Sequence, residues 1–107
     1  MPEVARKDGV DTVDTVHNSV GKDCAAAPTT IATDAGSSDV FAEGTGVVRV
    51  GDAVKVHNVP GCTPHSPPLA VGSSTVFANG QGIGRKDDTY AGTEKITSGA
   101  PTVIAGG

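Results

Sequence analysis

The chain has very few large apolar side chains. It contains no tryptophan, two phenylalanines, one tyrosine and a single leucine among 107 residues. Glycine and proline are abundant instead, with 15 and 7 residues, and they interrupt the sequence too often for long helices. These features exclude a helical bundle, a coiled coil and a large α/β enzyme. They favour one small all-β domain spanning residues 1–107, with a valine-rich core so thin that it needs additional stabilisation.

The charge distribution gives no sign of a nucleic-acid or membrane partner. The net charge is −4 at pH 7, and the basic residues are scattered rather than gathered into a stripe. No apolar run is long enough to cross a bilayer, and residues 1–8 lack the apolar stretch of a secretory signal. We therefore expect synthesis in the cytoplasm without a signal peptide, and no nucleic-acid partner.

Three segments of the chain repeat one another without gaps. Residues 36–44, 72–80 and 99–107 each combine a turn, a short strand with a central apolar pair, and a closing turn that needs glycine. In the second copy the closing turn is Asn79-Gly80, which is a strong hairpin signal. Three matches in register predict a small compact body of short strands and turns with pseudo-threefold symmetry.

A second element recurs beside each of these strands. An apolar residue is followed by arginine and then by aspartate within residues 4–8, 47–52 and 83–87. The resulting repeats cover approximately residues 4–44, 47–80 and 83–107. One such unit cannot bury its own apolar face, so the three are expected to share one core. A chain with three nearly equivalent faces is also shaped to cap a homotrimer on its threefold axis.

All the histidines and cysteines lie in the loops of the first two repeats. The second loop carries His57, Cys62 and His65, and the Cys-x-x-His spacing lets one short loop direct two side chains at a single ion. His17 in the first loop would complete a set of three histidines and one cysteine, and these are ligand types that zinc favours. These four residues are the predicted metal ligands, and zinc is expected in preference to iron.

Alternatives to this metal site stay open. Cys24 and Cys62 could form a disulfide, and Cys24 could instead replace Cys62 as the ligand or simply be buried. The histidines could also be solvated or packed in the core without a metal. A site with four protein ligands would be closed and structural, and its binding free energy would stabilise the fold.

No catalytic centre is predicted. The glycine-rich residues 80–86 lack the lysine and hydroxyl residue that end a phosphate-binding loop. Ser37, Ser38, Ser73 and Ser74 occupy equivalent turn positions, whereas a nucleophile needs a unique serine beside a base. We therefore expect a protein that is not an enzyme.

Together these segments resemble the PAAR-repeat family, the spike-tip proteins of contractile injection machines. Residues 47–52, Val-Val-Arg-Val-Gly-Asp, are similar to the family's Ala-Ala-Arg-Val-Gly-Asp segment, and residues 2–6 are a looser match to its Pro-Ala-Ala-Arg. Residues 72–80 resemble its Gly-Ser-x-x-Val-Phe-x-Asn-Gly strand, and residues 62–65 resemble its Cys-x-x-His ligand pair.

The resemblance implies a small cone whose base docks on a trimeric β-helical spike. That spike is VgrG-like in type VI secretion, or it is the central spike of a phage tail baseplate. Zinc near the apex is implied to be held by His17, His57, Cys62 and His65. The implied role is mechanical. The tip would sit on the virion tail baseplate or on an injection apparatus, and it would touch the target cell envelope transiently as the spike pierces it.

Two other functions would use the same residues. A free-standing zinc-binding or zinc-hydrolase domain would keep one exchangeable position on its metal. A disulfide-bonded exported adhesin module would use the cysteines as a cross-link. Metal analysis with ligand spectroscopy distinguishes the first from a closed site, and a thiol titration of the native protein tests the second.

Overall fold

Short β-strands make up the regular structure of the protein. The computed structural model describes residues 2–15, 29–56, 66–91 and 94–106, and these form no helix and so none that could cross a membrane. The strands are β1 (Thr12–Thr15), β2 (Thr29–Ala32), β3 (Phe41–Ala42), β4 (Thr45–Gly46), β5 (Phe77–Ala78), β6 (Gln81–Gly82) and β7 (Glu94–Ile96). The all-β prediction is confirmed.

Three backbone hydrogen bonds form a closed ring at the centre of the molecule. The N–H of Ala5 donates to the carbonyl of Gly84 (2.9 Å), Gly84 donates to Val48 (2.7 Å), and Val48 donates to Ala5 (3.0 Å). Each of these residues immediately precedes the arginine of its repeat, and each is buried. Such cyclic exchange among equivalent positions marks a pseudo-threefold axis, so the predicted internal symmetry is confirmed.

On one side of this ring, six short segments close into a narrow barrel. β1 lies between β2 and β7, with Thr15 opposite both Thr29 and Glu94. Single antiparallel bridges complete the circle from β2 to β7, and they are Thr33–Val54, Ala53–Pro68, Leu69–Tyr90 and Thr89–Lys95. Each repeat supplies one antiparallel pair. Neighbouring segments run in opposite directions all round the barrel. The connection between the two segments of each pair therefore starts and finishes at the same end of the barrel in all three repeats, and we call this the loop end.

The hairpins lie on the other side of the ring, at what we call the hairpin end. β3 pairs with β4 and β5 pairs with β6 across turns of two residues. The turn residues Glu43, Gly44, Asn79 and Gly80 all have positive φ. Type I′ turns require this backbone, and they match the twist of the flanking strands.

The ring divides the apolar interior into two parts. The barrel core contains Ala5, Val13, Val48, Val54, Leu69, Tyr90 and Ile96. The hairpin core contains Val4, Ala42, Val47, Ala78, Ile83, Ala100 and Ala105. The molecule measures 37 × 23 × 22 Å, and two nearly equal short extents fit a threefold axis along its length.

The third hairpin is assembled from both ends of the sequence. Ile104 bridges Glu3, and the N–H of Ala105 donates to the carbonyl of Pro2 (3.1 Å), in the register of the other two hairpins. If Met1 were removed and residue 107 joined to Pro2, only residues 106–107 would lie between Ala105 and Pro2. That spacing equals the turn length of the other two hairpins.

A circular permutant is therefore expected to fold. It joins residue 107 directly to Pro2 and opens the chain in the β5–β6 turn, so that one type I′ turn is gained as another is lost. We expect its free energy of unfolding to lie within about 1 kcal/mol of the parent's, measured by urea denaturation. A permutant opened between Val47 and Val48 is the control, and it should not fold because the cut interrupts the central ring. Equal stability of the two permutants would contradict the prediction.

Candidate docking face and loop end

Each repeat contains an arginine–aspartate clamp. The Nε and Nη2 atoms of Arg85 donate to the two carboxylate oxygens of Asp88 (2.9 and 3.0 Å), and the backbone N–H of Arg85 adds a third bond (2.8 Å). The equivalent pairs are Arg6–Asp11 and Arg49–Asp52. Hydrogen bonding to its aspartate raises the pKa of each arginine. Burial works to raise the pKa of Asp11, but hydrogen bonds from Arg6 and Ser98 outweigh it and the pKa is lowered.

Two of the aspartates that the sequence repeat selects are not clamp residues. The recurring Arg-Lys-Asp segments contain Asp8 and Asp87. Both have a left-handed backbone (φ 59° and 78°), where the second repeat has Gly51 (φ 97°). The acceptors are Asp11 and Asp88 instead. The turn places the clamp residue after the left-handed position, and in the first repeat it contains two extra residues.

The Nη1 atom of each arginine donates a hydrogen bond to a residue in the hairpin turn of its own repeat. These pairs are Arg6–Glu43 (3.1 Å), Arg49–Asn79 (2.9 Å) and Arg85 with the carbonyl of Gly106 (2.9 Å). A hydroxyl from a different repeat donates to the same acceptor residue. These pairs are Ser37–Asn79 (2.7 Å), Ser73–Gly106 and Thr102–Glu43. The hydroxyl contacts go from the first repeat to the second, from the second to the third and from the third to the first. Each hairpin turn is therefore bonded both to the arginine of its own repeat and to a hydroxyl of another repeat.

Removing the charge of one clamp is expected to destabilise the fold. Arg85 and Asp88 form the most buried pair, with side chains 9% and 8% exposed. Asp88→Asn leaves the guanidinium buried without its counter-charge, so we expect a loss of about 3 kcal/mol in the free energy of unfolding. Asp87→Asn is the matched control because its side chain is 71% exposed and 4.0 Å from Lys95 Nζ. The control should stay within about 0.5 kcal/mol of the parent in urea denaturation, and equal losses would refute the clamp's contribution.

Three large apolar side chains stay exposed at the hairpin end. Phe41, Phe77 and Ile104 occupy the same position in the three repeats and are 56%, 57% and 54% exposed. The residue that follows each of them is a buried alanine, and these are Ala42, Ala78 and Ala105. The outward position of such a half-buried strand is ordinarily polar. We call Phe41, Phe77 and Ile104 the apolar triad. Repetition of a large exposed apolar residue around an axis indicates a contact surface.

The sequence contained a signal for the triad that composition and motif analysis did not use. Residues 41, 77 and 104 are aligned by the repeat itself, and all three are large and apolar. Their exposure becomes evident only when the alternation of each strand is fixed by its neighbouring alanine. β3 and β5 each pair with a single strand among the described residues, so each also presents a strand edge.

The four predicted metal ligands fall outside the part of the chain that the structure describes. They are His17, His57, Cys62 and His65, and Cys24 also lies outside it. The last described residues before these segments are Thr15 and Val56, and the first described residues after them are Thr29 and Ser66. Residues 2–15, 29–56, 66–91 and 94–106 contain no group of three His, Cys, Asp or Glu side chains that could hold a metal.

The third repeat places two polar side chains inside the barrel. Tyr90 is 2% exposed, and its hydroxyl has no hydrogen-bond partner among the described residues, while Glu94 is fully buried. Burial raises the pKa of Tyr90. The first two repeats have apolar residues at the same positions, namely Val13 and Val54 for Tyr90, and Ile31 and Pro67 for Glu94.

No protein-family model matches the chain, and no curated protein matches it in sequence. The likeness to PAAR-repeat proteins is carried by the short segments quoted above, and function has to be argued from residues and geometry.

Proposed function

We propose that the protein is the non-enzymatic tip of a trimeric β-helical spike in a contractile injection apparatus, such as a phage tail or a type VI secretion system. Its role would be to cap and sharpen the spike that pierces the target cell envelope. The observation that carries the proposal is the apolar triad, because three large side chains at equivalent positions offer similar chemistry to each chain of a trimer.

The triad supports binding energetically as well as by symmetry. Phe41, Phe77 and Ile104 are each more than half exposed in the isolated chain. Burying the remaining exposed half of one such side chain contributes about 1–1.5 kcal/mol, and the three would act together on one rigid partner. The strand edges of β3 and β5 would gain backbone partners from the spike at the same time.

The arginine clamps suit a part that transmits force. Together with the hydroxyl contacts, they bond each hairpin turn to its own repeat and to a second repeat. The hairpins that carry the three triad residues are therefore joined by one continuous hydrogen-bond network. A face that is held in its binding conformation loses less conformational entropy when it docks. The same network would resist splaying of the hairpins under axial load.

Zinc belongs to this proposal as a second stabilising element. His17, His57, Cys62 and His65 would hold it. Four protein ligands leave no position for a reactive water, so the ion would contribute folding free energy rather than catalysis. A core with one leucine and no tryptophan contributes little stability on its own, so a bound metal would add a substantial share of the folding free energy.

Co-expression with a trimeric β-helical spike of a contractile injection apparatus tests the docking role. We expect a complex of one tip with three spike chains, measured by analytical ultracentrifugation or native mass spectrometry. A spike that lacks its terminal β-helical turn is the control and should not retain the tip. Failure of the intact spike to bind, or binding of three tips per trimer, would refute the proposal.

A further inference from the structure

We infer that the tip binds its partner by strand addition, in which each chain of a trimer lays one extended strand along the free edge of one hairpin and bonds to the backbone of Phe41, Phe77 or Ile104. The inference rests on the proposed docking role and adds its binding mode, which the apolar triad alone leaves open. Packing of side chains alone would accept many apolar surfaces. Strand addition requires three extended segments related by a threefold axis.

The first support is the alternation of hydrogen bonds in the first hairpin. The N–H of Val47 donates to the carbonyl of Val40 (3.0 Å), so these two residues form a hydrogen-bonded pair. The next pair towards the turn is Phe41 with Gly46. Hydrogen-bonded and non-hydrogen-bonded pairs alternate along an antiparallel ladder, so this pair is of the second kind. The N–H and carbonyl of Phe41 therefore point away from β4, towards the free edge of β3.

The other two hairpins have the same alternation. In the second, the N–H of Ile83 donates to the carbonyl of Val76 (3.0 Å), and Phe77 occupies the next position. In the third, Ile104 lies between two hydrogen-bonded pairs, and these are Val4–Val103 (2.9 Å) and Ala105–Pro2 (3.1 Å). The backbone N–H and carbonyl of each triad residue thus form no hydrogen bond within the described part of the chain, and they are left to solvent in the isolated tip.

The second support is that the neighbouring backbone groups are already bonded. On the opposite edge of the hairpins, the residue facing each triad member accepts from an N–H of another segment, and these bonds are Lys7 to Gly46 (2.8 Å), Val50 to Gly82 (2.9 Å) and Lys86 to Glu3 (2.8 Å). On the triad's own strand, the N–H groups of Asp39 and Val40 donate to the Ser37 hydroxyl (3.0 and 2.9 Å). Ser73 accepts in the same way from Thr75 and Val76 (3.1 and 2.9 Å). The free edge of each hairpin is therefore short and centres on its triad residue.

The shortness of each edge determines the kind of partner. One residue offers one donor and one acceptor, which is too little to hold a strand by itself. Three such edges around one axis bind strongly only when one rigid partner presents three strands together, and a trimeric β-helical spike meets this requirement. Short edges also protect the free tip from pairing with unrelated strands. In each new pair the partner residue projects to the same face as the triad side chain, so we expect it to be apolar.

Amide hydrogen exchange of the isotope-labelled tip, alone and bound to the trimeric spike of the docking experiment, tests this binding mode. The N–H groups of Phe41, Phe77 and Ile104 should exchange at nearly their intrinsic rates in the free tip and about 100-fold or more slowly in the complex. The N–H of Val48, which is bonded in the central ring, is the control and should exchange slowly in both states. A stable complex whose triad amides still exchange freely would overturn strand addition and leave the docking role intact. Slow exchange of these amides in the free tip would overturn it as well.

Backbone methylation by chemical synthesis separates the strand edge from the side chain. Phe41→N-methylphenylalanine keeps the aromatic ring and removes an N–H that has no partner within the described residues, so the unfolding midpoint in urea should not change. The spike should bind this variant about 10–100-fold more weakly, because a backbone acceptor of the spike is left unpaired. Thr45→N-methylthreonine is the matched control in the same hairpin. Its N–H belongs to the pair with Ala42 across the turn, so its unfolding midpoint should fall.

The two ways in which these experiments could fail are distinguishable. Unchanged affinity of Phe41→N-methylphenylalanine would overturn strand addition and assign docking to the triad side chains alone. A parent tip that forms no complex with the spike would overturn the docking role and this binding mode together.

Discussion

Gly46→Ala is expected to remove most of the stability of the fold. A Cβ atom at this position would overlap the backbone carbonyl oxygen of Ser37. Ser37 cannot move away because its N–H donates to Val47 (2.8 Å) and its hydroxyl donates to Asn79 (2.7 Å). Overpacking against fixed atoms costs about 1–3 kcal/mol and more where backbone must shift, so we expect a loss of at least about 3 kcal/mol in urea denaturation.

Gly44→Ala is the matched control within the same hairpin. A Cβ on Gly44 meets no atom within 4 Å, but the residue has φ +85°. An alanine there is strained by about 1–2 kcal/mol through its backbone alone. Gly46 does not have a left-handed backbone, so its substitution tests steric contact and nothing else. Gly82→Ala should reproduce the effect of Gly46→Ala because its Cβ would overlap the carbonyl oxygen of Ser73. A Gly46→Ala variant as stable as Gly44→Ala would refute the argument.

Local patterns in the sequence predicted local features of the fold. The closing turns at 43–44 and 79–80 follow from glycine spacing, and the symmetry follows from three matched segments. The barrel could not be predicted in this way. Single bridges such as Thr33–Val54 close it, and they join residues that no periodicity relates. The sequence repeat alone also does not show which aspartate pairs with each arginine, because the left-handed residue and the acceptor are neighbours in the third repeat and the turn of the first repeat is longer.

The candidate site was predictable only in part for a similar reason. The sequence identifies side chains that could bind zinc, but it does not distinguish a buried strand position from an exposed one when strands have two residues. Phe41 and Ala42 illustrate the point, since either could have faced the core until the register of β3 against β4 was known. The polar character of Tyr90 and Glu94 was visible in the sequence. That they lie within the barrel depends on contacts among all three repeats.

Charge introduced into the apolar triad is expected to abolish docking on the trimeric spike while leaving the tip folded. Phe41→Asp and Phe77→Asp each remove a side chain that is more than half exposed, so the core loses little. Each substitution also brings a carboxylate into an interface that would have to desolvate it. A central aromatic anchor contributes about 2 kcal/mol or more to binding, so each variant should bind at least about 30-fold more weakly. The double variant should show no complex in ultracentrifugation.

Ile104→Asp and Val71→Asp show whether the effect belongs to the triad. Ile104 is smaller than phenylalanine but occupies the third equivalent position, so its substitution should also weaken binding, by less than that of either phenylalanine. Val71 is 48% exposed and lies outside the hairpins, so Val71→Asp introduces the same charge, with a smaller loss of apolar area, outside the docking face. Equal weakening by Val71→Asp would mean that net charge controls binding. Graded weakening at positions 41, 77 and 104 alone would mean that all three spike chains contact the tip, and this is the outcome that pseudo-threefold symmetry requires.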